Sequence, residues 1–182
     1  MYKFVKFMTN ILCRLWYRVK IEGEVNIPDD EGYLICANHI HMFDPVFIMV
    51  NHKRQISFMA KKELIETPIL GQILLKCGAV SVDRGKGDIA AVKASIETLK
   101  EDKVMSIFPE GTRHRDGICR DLKKGAAMVA IKAKSKIVPM RIIGNYKLFS
   151  KMILRIGTPI DSEGKNKDEL TDELYQAIEA LK

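Results

Sequence analysis

Long hydrophobic runs are missing from this sequence. In the N-terminal stretch MYKFVKFMTNILCRLWYRVK the longest uncharged run is Phe7 to Cys13, far short of the roughly 20 residues that a transmembrane helix needs. The stretch also lacks the apolar region and the small-residue cleavage site of a signal peptide. We therefore expect neither a membrane-spanning anchor nor a secretory leader.

Cysteine is scarce and scattered. The four cysteines form no CxxC pair, which argues against a disulfide framework and favours a reducing compartment. Cys36 lies inside an apolar run, where burial would leave its thiol inert. A thiolate nucleophile at Cys36 is the alternative.

Acidic residues are too few to balance the basic ones. The chain has 30 Lys and Arg against 23 Asp and Glu, which leaves a formal charge of +7. This charge favours a polyanionic partner, which could be a nucleic acid, an anionic membrane surface or a phosphorylated substrate. Charge alone does not choose among the three.

The first 19 residues separate into two faces on a helical wheel. The apolar face carries Phe4, Val5, Phe7, Met8, Ile11, Leu12, Leu15, Trp16 and Val19. Such a helix can pack on its own domain or lie in a membrane interface, and the width and aromatic content of the face favour the membrane. We therefore predict an amphipathic membrane-associating helix over 1–19 and one folded domain over 20–182.

Apolar runs alternate with segments of helical periodicity from about residue 17 onward. This alternation predicts a single α/β domain with a mostly parallel central sheet of about seven strands flanked by helices. The expected strands are 17–22, 33–37, 56–60, 79–82, 104–108, 137–143 and 152–156. The expected helices are 45–51, 62–76, 88–100, 123–134 and 167–181.

Polar residues are concentrated in four loops that follow predicted strands: NHIHMFD, SVDRGKGD, FPEGTRHRDG and VPMRIIG. In open α/β sheets, functional groups gather at the carboxyl ends of the strands.

In the first loop, Asp44 directly before Pro45 suits a helix N-cap. It could also contact His39, but only through a turn, because residues five apart on a continuous helix point about 140° away from each other. A carboxylate on one ring nitrogen would make the other nitrogen of His39 a better general base.

A metal site is the rival interpretation of the first loop. His39, His41 and Asp44 could ligate a metal ion in a metal-dependent hydrolase. The other histidines, His52 and His114, have no Cys, His or Asp cluster beside them to complete such a site. We therefore expect no bound metal.

The second and third loops carry candidate anion-binding groups. Arg84 and Lys86 lie among glycines, as in a solvated turn or in a grip on a phosphate, although the Walker order GK[ST] is absent. In the third loop, a buried Glu110 beside Arg113 would fix the guanidinium toward a phosphate. The alternative for the third loop is an exposed turn.

Together these loops resemble the motifs of the glycerolipid acyltransferase family, whose founding activity is 1-acylglycerol-3-phosphate acylation. NHIHMFD matches the family's NH-x4-D, GAVSVDRG its second block, FPEGTR its third and IVPMRI its fourth. The blocks occur in the family's order over about Gly32 to Gly144, with the familiar FMAKKEL between the first two.

The resemblance implies a role for each matched residue. His39 would be the general base and Asp44 its orienting partner. The remaining assignments concern substrates: Arg84, Glu110 and Arg113 bind the acceptor phosphate, Gly111 and Thr112 shape their loop, Pro139 lines the acyl-donor side, and Lys61 lies near the thioester carbonyl.

The implied reaction moves an acyl chain from acyl-CoA or acyl-acyl carrier protein to the sn-2 hydroxyl of lysophosphatidic acid, giving phosphatidic acid for phospholipid biosynthesis. Beyond the acyl thioester, we expect no cofactor and no nucleic-acid partner. We expect peripheral attachment to the cytoplasmic face of the cell membrane. Glycerol 3-phosphate, another lysophospholipid or a lyso-aminolipid is the alternative acceptor, because the bulky IHMF inside the first motif could narrow the pocket.

Overall fold

A computed structural model describes residues 1–82 and 89–182 of the chain. Within these residues the strands are β1 (Arg18–Glu22), β2 (Tyr33–Ala37), β3 (Ile56–Lys61), β4 (Val80–Val82), β5 (Val104–Ile107), β6 (Lys136–Ile143) and β7 (Lys151–Ile156). The helices are α1 (Tyr2–Trp16), α2 (Asp44–Val50), α3 (Lys62–Ile65), α4 (Leu70–Lys76), α5 (Ile89–Lys100), α6 (Gly125–Ala133) and α7 (Lys167–Ala180).

The described strands form one sheet in the order β1-β7-β6-β2-β5-β3-β4. All neighbouring strands are parallel except β6 and β7, which are antiparallel. Five strands therefore end at the same edge, which we call the carboxyl edge. The predicted α/β fold with a mostly parallel sheet is confirmed.

Helices cover both faces of the sheet, which explains why β2 is apolar along its whole length. Successive side chains of a strand point to opposite faces. Leu34 and Cys36 pack among residues of α5, α6 and α7. Ile35 and Ala37 pack on the other face with Phe47 of α2. All five residues of β2 are buried, so the strand is a rigid base for the loop that follows it.

The helix predicted over 62–76 is wrong in one respect, because the chain breaks it into α3 and α4. Pro68 explains the break, since the residue before a proline avoids helical dihedrals. Thr67 closes the gap with its hydroxyl, which donates to the Leu64 carbonyl (2.7 Å) and accepts from the Gly71 N–H (3.1 Å). Of the helix predicted over 88–100, residue 88 lies outside the described residues.

The N-terminal helix is shorter than the predicted 1–19 span. It ends at Trp16, because Tyr17 adopts an extended backbone and Arg18 begins β1 beside Lys151 of β7. In the described parts of the chain, no helix is long and apolar enough to cross a bilayer.

The helix α1 packs against α2 and β1, but it does so through its less apolar side. Tyr2 is buried and its hydroxyl accepts from the Ile56 N–H at 3.0 Å. Lys6 donates from its ammonium to the His52 carbonyl. The outer side exposes a set of large apolar side chains: Phe4, Phe7, Met8, Ile11, Leu12, Leu15 and Trp16. Most amphipathic helices of globular domains have the reverse orientation.

Candidate active site

The candidate site begins where β2 ends at the carboxyl edge. Asn38 is buried, and its side-chain amide bonds both backbone groups of Ile142 on β6, donating to the carbonyl (3.0 Å) and accepting from the N–H (2.7 Å). The side chain therefore replaces the next rung of the β2–β6 ladder. The backbone is free to leave the sheet at His39, and it turns back where the Asp44 N–H donates to the His41 carbonyl at 3.1 Å.

This turn brings the His39 ring onto the Asp44 carboxylate. The distance from His39 Nδ1 to Asp44 Oδ2 is 2.7 Å. The same oxygen accepts from the backbone N–H groups of Ile40 (2.7 Å) and His41 (2.8 Å). The contact and the turn predicted from the sequence are therefore both present.

The prediction that Asp44 caps the following helix is wrong. The helix α2 begins at Asp44 itself, and no side chain caps its first turn. The carboxylate bonds backward to the turn instead, because it is fully buried and the N–H groups of Ile40 and His41 point into the same interior. Pro45 lies in the first turn of the helix, as expected.

A fourth partner of Asp44 comes from the loop between β6 and β7. The Tyr146 hydroxyl donates to Asp44 Oδ1 at 2.7 Å. Nothing in the sequence analysis pointed to Tyr146, which follows the fourth motif by a few residues. Two backbone N–H groups and a hydroxyl already donate to this carboxylate, which makes it the natural acceptor for a ring N–H and assigns the proton of neutral His39 to Nδ1. Nε2 of the neutral ring is left with the lone pair that a base requires.

The ring of His39 is also held on its face. It stacks on Phe108, which follows β5, with centroids 4.2 Å apart and planes at 20°. Its side chain is only 8% exposed. The imidazole is therefore fixed in orientation by Asp44 and in plane by Phe108.

His41 does not join His39 in a ligand cluster. Its ring stacks on Tyr146 at 4.6 Å, and its Nδ1 accepts from the Phe43 N–H at 3.4 Å. Over residues 1–82 and 89–182, no group of three or more His, Cys, Asp or Glu side chains is arranged to hold a metal ion. The hydrolase interpretation therefore gains no support from the geometry.

Glu110 joins the third motif to the first. It is 4% exposed, and it accepts from the backbone N–H groups of His39 (2.7 Å) and Arg120 (3.2 Å). Burial raises the pKa of this carboxyl, while the two N–H donors lower it. The expected ion pair with Arg113 is wrong: Arg113 is exposed, and no such pair occurs in the described part of the chain, because both oxygens of Glu110 point inward to backbone donors.

Thr112 and Arg113 of the FPEGTR loop are open to solvent, whereas Pro109 is buried. Gly111 has φ of +70°, and a β-carbon there would lie 2.7 Å from the Lys123 ammonium. The left-handed backbone favours glycine at this position. Lys123, which the sequence analysis missed, therefore lies close to the loop, while Thr112 and Arg113 are exposed.

Two other predicted site residues, Lys61 and Pro139, lie apart from the hydrogen bonds of this cluster. Lys61 is exposed at the end of β3, on the same carboxyl edge. Pro139 is buried in β6, where its carbonyl accepts from the Gly157 N–H at 2.8 Å. Arg84 lies outside the described residues. The assignments of Lys61, Arg84 and Pro139 stay predictions.

Comparison with known proteins decides the family. A model of the acyltransferase family matches residues 18–143. The chain belongs to the acyltransferase family. The match includes His39, Asp44 and Glu110 and ends at the last residue of β6.

Two bacterial relatives and one solved structure show what this acyltransferase is similar to. The 1-acyl-sn-glycerol-3-phosphate acyltransferase of Bacillus subtilis is 35% identical, over 88% of this chain and 82% of its own length. The protein of the same name from Streptococcus pneumoniae is 37% identical, over 72% of this chain and 51% of its own. The crystal structure of the 1-acyl-sn-glycerophosphate acyltransferase PlsC from Thermotoga maritima matches with a TM-score of 0.84 and 26% identity, covering 99% of this chain and 79% of that one.

The hydrogen bonds of Glu110 indicate that it holds the backbone at His39 and Arg120 in place. The Glu110→Gln variant tests this structural role. Both carboxylate oxygens accept from backbone N–H groups, whereas glutamine has one oxygen and would direct an NH₂ at a donor. We expect a loss of about 1–3 kcal/mol in the free energy of unfolding, measured by urea titration, and a lower kcat because the His39 backbone loses its partner.

Glu24→Gln is the matched control, because Glu24 is exposed beyond β1 at the opposite edge of the sheet. Its stability should change by no more than about 0.5 kcal/mol. If Glu110→Gln kept its stability but had a raised acceptor KM, the structural role of Glu110 would be contradicted. The role in substrate binding that the motif implied would then be favoured.

Proposed function

We propose that this acyltransferase transfers an acyl chain from a thioester to the sn-2 hydroxyl of 1-acyl-sn-glycerol 3-phosphate, giving phosphatidic acid, with His39 as general base. The observation that carries the proposal is the 2.7 Å contact between His39 Nδ1 and the buried Asp44 carboxylate, which leaves Nε2 as the proton acceptor. The names of the two bacterial relatives support the choice of acceptor.

The proposed step needs one base and no covalent enzyme intermediate. The acceptor hydroxyl attacks the thioester carbonyl while His39 Nε2 takes its proton. The new ester C–O bond forms, the C–S bond breaks, and the imidazolium returns the proton to the leaving thiolate. Asp44 balances the positive charge of the ring, and general-base catalysis of this kind contributes about 10²–10⁴ in rate.

Both proposed donors, acyl-CoA and acyl-acyl carrier protein, present the same thioester. Both are also anionic, as is the acceptor phosphate. Exposed cations at the carboxyl edge suit such substrates: Lys61 ends β3, and Arg113 and Lys123 lie at the FPEGTR loop. Cys36 is fully buried, and burial raises the pKa of its thiol well above the usual range, which makes it a poor nucleophile.

The His39→Ala variant tests the base. We expect turnover to fall at least 10²-fold when radiolabelled lysophosphatidic acid is assayed with acyl-CoA and with acyl-acyl carrier protein, while circular dichroism shows an intact fold. His114→Ala removes an imidazole that does not contact Asp44 and should keep most of the activity. Turnover of His39→Ala above a trace with either donor would refute the mechanism.

The Arg113→Ala variant tests whether Arg113 binds the phosphate of the acceptor. Loss of a charge-assisted bond to phosphate should raise the acceptor KM by roughly 10-fold or more, with a much smaller change in donor KM. Lys93→Ala removes a positive charge from the exposed side of α5. It controls for the effect of the protein's net charge on the binding of anionic substrates. Equal changes in both KM values would count against the assignment, and inhibition by glycerol 3-phosphate should weaken in parallel with acceptor binding.

We further propose that this enzyme associates peripherally with anionic membrane through α1, at the cytoplasmic leaflet. The outer side of α1 is apolar, with Phe7 61% and Leu15 63% exposed. The loop between β6 and β7 continues this surface at the carboxyl edge: Leu148 is 59% and Phe149 62% exposed, and the Phe149 N–H donates to the Trp16 carbonyl at 2.6 Å.

Basic side chains border this apolar surface, which suits anionic lipid. The exposed ones are Lys3, Arg14, Arg18, Lys147 and Lys151. Each Lys or Arg near an anionic surface contributes about 1 kcal/mol. The acceptor and the product are both lipids, so a site that opens beside the bilayer would shorten their path.

The double variant Phe7→Gln, Leu15→Gln tests the docking surface without removing Tyr2 and Lys6, which bond α1 to the domain. Burial of each apolar side chain is worth about 1.5–3 kcal/mol, so co-sedimentation with vesicles containing anionic lipid should fall at least 10-fold. Val25→Gln removes a side chain that is 93% exposed at the opposite edge and should sediment normally. Unchanged sedimentation of the double variant would show that α1 is only structural.

A further inference from the structure

Tyr146 occupies a position that neither the sequence motifs nor the proposed reaction assigns. It lies between β6 and β7, and its hydroxyl reaches Asp44, 102 residues earlier, at 2.7 Å. It is the only partner of Asp44 Oδ1 among the described residues. The other three donors all bond Oδ2.

The protein holds the Tyr146 ring on three sides. Tyr17, at the end of α1, meets it edge-on with centroids 5.7 Å apart. Phe47 of α2 also meets it edge-on, at 6.1 Å, and His41 stacks on its face. These contacts come from two separate stretches of the chain, the end of α1 and the turn that leads into α2 together with α2 itself, so the direction of the hydroxyl depends on the assembled fold.

The backbone of Tyr146 is itself unusual. Its φ of +53° lies in the left-handed region, which is uncommon for a bulky residue. Such conformations cluster at functional sites. Phe149 in the same loop is also left-handed, with φ of +60°, yet its side chain faces solvent, so it is the bond to Asp44 that distinguishes Tyr146.

The hydroxyl keeps its proton. Burial, and next the negative charge of Asp44, raise the pKa of Tyr146 far above that of free tyrosine. It therefore acts as a fixed donor and takes no part in proton transfer. Other titratable groups around the cluster are His41 against the ring, Glu110 on the backbone of His39, and Cys13 and Tyr17 near the Tyr146 hydroxyl.

We propose that Tyr146 is a positioning residue, whose hydroxyl holds Oδ1 of Asp44 so that Oδ2 stays in line with Nδ1 of His39. A carboxylate turns about one bond, and anchoring both oxygens fixes its plane. A second consequence is electrostatic, because a donor on Oδ1 draws charge away from Oδ2 and tempers the basicity of His39. This inference rests on the proposed function of His39 as general base.

Tyr146→Phe tests the hydroxyl while keeping the packed ring. We expect kcat to fall about 10-fold or more, as for loss of a hydrogen bond to a charged group, with acceptor KM within about twofold of wild type. The acidic limb of the kcat/KM profile should move to higher pH, because a less compensated Asp44 favours the imidazolium of His39. The His39 imidazole resonance, assigned by its absence in His39→Ala, should show the same shift in an NMR titration.

Tyr33→Phe is the matched control. The Tyr33 hydroxyl also bonds a buried histidine, at 2.6 Å from His52 Nε2, but it begins β2, at the opposite edge from His39. Its loss should lower stability and leave kcat per folded molecule and the acidic limb unchanged. A merely structural Tyr146 would behave in the same way.

Three results would overturn the inference. The first is a Tyr146→Phe enzyme whose kcat and pH profile match those of Tyr33→Phe. The second is an effect confined to acceptor KM, which would make Tyr146 a substrate contact. The third is a His39 resonance that titrates as in wild type. Since the NMR titration needs no turnover, it tests the bond even if His39→Ala were to show that the proposed function is wrong.

Discussion

The burial of one carboxylate organises the site. Asp44 has no exposed surface, and an ionised group in that position is tolerated only if donors replace the water it has lost. The turn after β2 supplies two backbone N–H groups, His39 supplies its ring and Tyr146 its hydroxyl. The tautomer and direction of His39 follow from this requirement, so the chemistry of the imidazole is set by where Asp44 is placed.

A second buried carboxylate, that of Glu110, bonds the backbone of the same histidine. Glu110 accepts from the His39 N–H, and the His114 N–H donates to the His39 carbonyl at 2.7 Å. Both backbone groups of His39 are therefore bonded to the loop after β5, while its ring is bonded to the turn before α2. The first and third motifs are thus one structural unit, although about 70 residues separate them in the chain.

The sequence was most informative where local chemistry decides the structure. The strand Tyr33–Ala37 was predicted to the residue, because a run buried on both faces has no other place in the fold. The His39–Asp44 contact was predictable because Pro45 ends the turn. The partners of Glu110, the hydroxyl of Tyr146 and the ring of Phe108 were not, since each depends on which loops meet at the carboxyl edge. The outward apolar face of α1 agrees with the membrane interpretation that its width and aromatic content favoured, but a helical wheel could not show which residues on the other face contact the domain.

The loop from Gly144 to Ser150 contacts both the N-terminal helix at the surface and the buried Asp44 of the candidate site. Its Phe149 N–H bonds the last turn of α1, and its Ser150 carbonyl accepts from the Arg18 N–H at 2.9 Å. Three residues before Phe149, Tyr146 bonds Asp44. The surface that we propose to contact lipid and the bond that we propose to position the base therefore belong to one short segment. Phe149 and Ser150 bond to α1 and β1, while Tyr146 bonds to Asp44, so this one loop supports both the proposed lipid-contacting surface and the proposed orientation of the carboxylate beside His39.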